Sequence, residues 1–92
     1  MDWTILAWVK RGKRRKNILQ IFYKANKPIA SNDIKILSKI SLSQISVIIS
    51  DFDKKNLIVC KNPEDKLGRL YEISENGKIV ISELNRGFND EK

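Results

Sequence analysis

Ser43, Gln44, Val47 and Ser50 follow one another at intervals of one, three and three residues. On a helix that spacing gathers them toward one face. These side chains can read base edges in a DNA groove. A glutamine amide donates and accepts at once and can bond adenine in bidentate fashion, while an apolar side chain can touch a thymine methyl. The block Lys10-Arg11-Gly12-Lys13-Arg14-Arg15-Lys16 offers a second chemistry. Its six cations can neutralise phosphates, and the counterions released would make affinity fall steeply with salt. Lys66 and Arg69 could add backbone or minor-groove contacts from a turn that also holds Glu64 and Asp65, whose charge softens that contribution. Each feature has a plainer reading: a pair of core helices in the first case, a solvated charged face or a localisation patch in the second.

For Gln44 to face outward, a helix must bury the other side of the same segment. Ile45, Ile48, Ile49 and Phe52 supply that apolar stripe. Ser41 stands where an N-cap belongs, with Gln44 three residues on, as in a capping box. Upstream, Ser31 or Asn32 can cap a helix running to about Lys39 with Ile34, Leu37 and Ile40 inward. Two helices joined by a tight turn read as helix-turn-helix, whose second helix presents its N-terminal residues to base edges. Asn56 can take the left-handed position that ends this helix. Leu57–Lys61 and Arg69–Ile73 then pair as a hairpin across the turn containing Pro63 and Gly68.

The remaining segments frame this unit. Trp3–Val9 reads as a short helix, apolar nearly all round, with Asp2 as cap; its own core or a second subunit must cover it. Trp3 and Trp8, five apart, point to different sides and suit packing better than base stacking. Gly12 reads as a break. A second helix over Lys13–Lys24 buries Ile18, Leu19, Ile21, Phe22 and Ala25, and it ends at Asn26 before Pro28. Four cations in its first turn oppose the helix dipole, unless one helix runs through Gly12. Pro28–Ala30 allows only a bridging strand. Ser74 caps a last helix carrying Ile79, Val80 and Leu84, with Gly87 at its end and a frayed tail over Phe88–Lys92.

Composition narrows the class. Ninety-two residues make one small domain with a thin core. The formal charge is +7, and all of the excess lies in residues 1–30, where eight basic side chains meet one acid. A focused positive patch favours polyanions. The chain contains no histidine and a single cysteine, Cys60. Imidazole bases, zinc sites and internal disulfides are therefore set aside, as are enzymatic activity, cofactors and metals, since no phosphate-binding loop or nucleophile elbow occurs. Cys60 reads as a buried small hydrophobe in a reducing compartment. The apolar start precedes the basic cluster, the reverse of a secretory signal, so a cytoplasmic location is expected.

The run from Ile40 through Ile58, followed by Asn62-Pro63-Glu64-Asp65-Lys66-Leu67-Gly68-Arg69-Leu70-Tyr71 and Ser74-Glu75-Asn76-Gly77-Lys78, resembles archaeal winged-helix transcriptional regulators of the MarR/ArsR type. The lead-in Trp8–Arg15 is similar to the start of that group. The resemblance covers roughly Trp8 to Leu84 and implies a cytoplasmic DNA-binding regulator, often dimeric. Val47 and Ser50 stand where such regulators often carry arginine, and Asn56 stands at the strand-entry glycine. The Cys/His clusters of ArsR-type metal sensors are missing, so metal sensing is not implied. The long dimerisation helices of full MarR proteins are not expected at this length, nor is an effector pocket between them.

These readings converge on a mainly α chain with a small antiparallel β wing, a winged helix-turn-helix. The expected organisation is a single DNA-binding domain over 1–92, with helix-turn-helix about 31–55, wing about 57–73 and C-terminal helix about 75–86. The expected function is sequence-specific binding of double-stranded DNA to regulate transcription, as a homodimer through the N- and C-terminal helices. The rival is a winged-helix protein–protein interaction module or adaptor without DNA binding, favoured by the uncharged recognition helix and apolar termini. The deciding geometry is whether Lys10–Lys16 lies on the same side as Gln44.

Overall fold

Gly12, Asn26, Lys39 and Asn56 mark the places where successive helices break or end. The computed structural model describes residues 3–65 and 67–87. The helices are α1 (Trp3–Arg11), α2 (Lys13–Ala25), α3 (Ser31–Ser38), α4 (Leu42–Lys54) and α5 (Glu75–Gly87). The strands are β1 (Ile29–Ala30), β2 (Ile58–Cys60) and β3 (Leu70–Ile73). They form an antiparallel sheet in the order β1-β3-β2, with Ile29 opposite Tyr71 and Ile58 opposite Ile73. This is a winged helix-turn-helix: mainly helical, with a small antiparallel wing. The expected Asp2 cap, the tail over Phe88–Lys92 and Lys66 lie outside the described residues.

Gly12 does break the chain into two helices. The alternative of one helix running through it is therefore excluded. Its φ of −103° is open to any residue, so conformational freedom is not what the position requires. A Cβ there would lie 2.7 Å from Arg15 Cδ, a flexible side chain that would have to shift to admit it. The break leaves Lys10 and Arg11 at the C-terminus of α1, where cations suit the dipole, and Lys13 to Lys16 at the N-terminus of α2, where they oppose it.

Asn26 and Asn56 take the left-handed conformation, with φ 50° and 62°. Lys39 does so as well, at φ 62°, and its N–H bonds the Lys35 carbonyl. Lysine has no special tolerance for that region, so its residue type does not mark the position. The cap of α3 also differs from expectation. Ala30 occupies the N-cap, and its N–H donates to Asp33 Oδ2 at 3.0 Å, while Ser31 and Asn32 lie inside the helix. The helix therefore starts earlier than expected. Ile34 is buried and Ile40 packs against the core, but Leu37 is 64% exposed rather than inward, and Ile36 is 73% exposed.

The core draws on every element. Leu6 and Val9 of α1, Ile18, Leu19 and Phe22 of α2, and Val80, Ile81 and Leu84 of α5 meet at one end. Ile34, Ile45, Ile49 and Phe52 fill the helix-turn-helix, and Ile29, Leu57, Ile58 and Ile73 close it with the sheet. Among the described residues, no buried side-chain nitrogen or oxygen lacks a hydrogen-bond partner.

The entry to α5 is tied to the exit from α4. Ser74 N–H donates to the Leu57 carbonyl at 3.0 Å, and Ser74 Oγ donates to the Asn56 carbonyl at 2.7 Å while accepting from Gly77 N–H at 3.0 Å. Gly77 is buried at this junction, where a Cβ would fall 2.3 Å from the Leu57 carbonyl oxygen. Close backbone approach explains the glycine.

Candidate nucleic-acid interface

Helix α4 is held by its apolar side and its cap. Ser41 Oγ accepts from Gln44 N–H at 3.4 Å, and Ile45, Ile49 and Phe52 are buried, with Ile48 half-buried. That phase leaves Ser43, Gln44, Val47 and Ser50 exposed, Val47 by 62%. The first basic residue in α4 is Lys54, in its last turn, so no cation lies on its outward face before that, and the first charged residue along it is Asp51.

Two open clefts flank this helix. One, of about 760 Å³, lies between α4 and the start of α2; Gly12, Lys13, Arg14 and Arg15 form one wall, and Ser43, Gln44, Val47, Ile48 and Asp51 the other. The other, of about 600 Å³, lies between α4 and the wing, with Ser46, Ser50 and Asp53 facing Gly68, Arg69 and Tyr71. The cationic start of α2 therefore stands on the same side of the molecule as Gln44.

The six cations do not act as one patch. Lys13 and Arg14 are exposed and line the first cleft. Lys10 and Arg11 line a separate hollow with Trp3, Leu6 and Ala7. Lys16 is exposed and lines neither cleft beside α4. Arg15 is half-buried: its guanidinium donates to the Trp8 carbonyl at 2.6 Å and lies 4.4 Å above the Trp8 ring centre. Lys55 Nζ approaches the same ring at 4.9 Å, and the ring meets Phe52 edge-on with centres 5.9 Å apart. Trp8 thus ties α1, the start of α2 and the end of α4 together. Sequence spacing could not reveal this, because Gly12 interrupts the helix between Trp8 and Arg15.

A second unforeseen residue organises the wing. The Asn62 side chain accepts from Leu70 N–H at 2.7 Å and donates to Asp65 Oδ2 at 3.0 Å and to the Gly68 carbonyl at 3.3 Å. Arg69 Nε donates to the Asp65 carbonyl at 2.9 Å, so the turn is knitted across its width. Gly68 takes φ 71°, the left-handed region that favours glycine. Among the described residues, no group of three or more His, Cys, Asp or Glu side chains could hold a metal ion. No described helix is long and apolar enough to cross a membrane.

The sequence matches no protein-family model and no curated protein. Its fold has clear counterparts among solved structures. A mutant MepR from S. aureus bound to an oligodeoxyribonucleotide superposes with a TM-score of 0.78 at 14% identity, over 90% of this chain and 64% of that one. A mutant MarR from E. coli complexed with operator DNA gives 0.70 at 18% identity, over 85% and 56%. The reduced form of E. coli MarR gives 0.73 at 16% identity, over 96% and 68%. The chain therefore has the MarR-type winged-helix fold and spans between about half and two thirds of the length of these proteins.

Proposed function

We propose that this chain is a DNA-binding transcription regulator of the MarR type, which binds double-stranded DNA sequence-specifically as a single domain over 1–92. The kinship read from its sequence with archaeal MarR/ArsR-type regulators belongs to the same proposal, as does a cytoplasmic setting. One observation carries it: Lys13 and Arg14 face the exposed Ser43, Gln44 and Val47 across an open cleft. Phosphates can be neutralised on one wall while base edges are met on the other. Ser50 and Arg69 extend the contact toward the wing, with Lys66 completing its charge. Lys10, Arg11 and Lys16 serve as outer phosphate contacts, and Arg15 contributes mainly by positioning its neighbours. Two copies would pair through α1 and α5, which pack on each other within one chain and still expose Trp3 and Ile79.

A mobility-shift titration of duplex DNA at several salt concentrations tests this reading. Wild type should bind at low salt, and the Lys13→Ala/Arg14→Ala double variant should flatten the log–log salt slope by about 2, from roughly 0.9 per phosphate contact. No binding of any duplex at low salt would overturn it. That outcome would favour the interaction-module reading, which rests on the exposed Ile36 and Leu37 of α3.

A further inference from the structure

We infer that the base pairs read by α4 are A·T pairs, with Val47 seated on a thymine methyl and Gln44 bonded to adenine at a neighbouring pair. This deepens the DNA-binding proposal and rests on it. The argument begins with what α4 lacks. Guanine is most often read by arginine or lysine bonded to its O6 and N7. Helix α4 carries no basic residue before Lys54, which is in its last turn. The cations nearest to its N-terminal half, Lys13 and Arg14, stand on the opposite wall of the cleft. A strand lying between the walls would therefore turn its phosphates to α2 and its base edges to a surface without cations.

What α4 does offer is selective. The Gln44 backbone N–H serves the Ser41 cap, whereas its side chain is exposed on the cleft wall. An amide matches the paired acceptor and donor of adenine in the major groove. Val47 is 62% exposed on the same wall, so its two methyl groups are presented to the cleft beside Gln44. The thymine methyl is the apolar group that the major groove supplies. Residues three apart on a helix are neighbours on its surface, so the two side chains can address neighbouring pairs. Asp51 and Asp53, further along α4, disfavour phosphate there and confine the contact to the first turns.

The test uses the full chain. Duplexes retained from a random pool give a selected site, and each thymine in it is replaced in turn by deoxyuridine, which lacks only the methyl. Each adenine is separately replaced by 7-deazaadenine. One deoxyuridine should weaken wild-type binding about three- to fivefold, the worth of one buried methyl. Val47→Ala, an exposed change that keeps the helix, should be indifferent to it. One 7-deazaadenine should weaken wild type, and Gln44→Ala should not respond. A selected core of G·C pairs would overturn the inference, as would binding without preference or equal deoxyuridine losses in wild type and Val47→Ala. In each of those cases duplex binding itself would survive, whereas retention of no duplex would sink both proposals.

Discussion

Arg14 and Arg15 are adjacent and chemically identical, yet their surroundings separate them. Arg14 is exposed on the cleft wall, while Arg15 is spent on the carbonyl and ring of Trp8. A charge-assisted hydrogen bond and a cation–π contact at a half-exposed site together suggest about 1–2 kcal/mol. Arg15→Ala should lower unfolding stability by that amount in a denaturant titration, and Arg14→Ala should leave it within about 0.5 kcal/mol. Equal effects would show that the Trp8 contact contributes nothing. Asn62 invites a similar comparison. Asn62→Ala removes the acceptor of the Leu70 N–H, so hydrogen exchange at Leu70 should quicken about tenfold for a loss near 1.4 kcal/mol. Exchange that stays at the wild-type rate would mean that the turn holds without its asparagine. Neither role was visible in the sequence. Trp8 and Arg15 are brought together by a helix break, and Asn62 by the return of a strand eight residues later.

The helices show a tension between stability and use. The first turn of α2 holds four cations and no acid, against its own dipole. Each unfavourable charge costs about 0.3–1 kcal/mol at an exposed terminus. Arg14→Glu should therefore raise stability by roughly 0.5–1 kcal/mol at low salt while weakening duplex DNA binding. Thermal melts beside mobility shifts check both signs, and a loss of stability would contradict the dipole account. At the α4–β2–α5 junction the tolerance is lower. Gly77→Ala places a methyl against the Leu57 carbonyl, a backbone atom that cannot rotate aside. It should cost about 1–3 kcal/mol or more in chemical denaturation, and a neutral result would mean that α5 can slide. Most element boundaries were legible from capping residues and apolar spacing. The start and the buried face of α3 were not: Asp33 caps the helix through the Ala30 N–H, and Leu37 lies outside.

Across the whole molecule, the decisive relation was one the sequence left open. Lys10–Lys16 and Gln44 are about thirty residues apart, and only the packing of α2 on α3, and of α3 on α4, sets their sides. The structure brings Lys13 and Arg14 to the cleft and leaves Lys10 and Arg11 in another hollow. The proposed homodimer belongs to this scale. Helix α1 looked apolar on every side, but Leu6 and Val9 are consumed by the chain's own core, which leaves less surface for a partner. Sedimentation should still show a dimer at micromolar concentration, weakened by Trp3→Ser. A monomer at every concentration would remove pairing through the end helices from the proposal.

Strand β1 has only two residues, yet its pairing of Ile29 with Tyr71 and Ala30 with Leu70 closes a circuit around the helix-turn-helix and wing. Closing a flexible loop of about 40 residues costs about 3 kcal/mol in chain entropy. Two residues of ladder, at a net gain of about 1 kcal/mol per bond, do not offset that cost. The strand is thus a seam rather than a staple, held shut by the buried helices on either side of it. In a folding chain it should close last, after Ile34, Ile45 and Phe52 have condensed, and in a native chain it should be the first place to part.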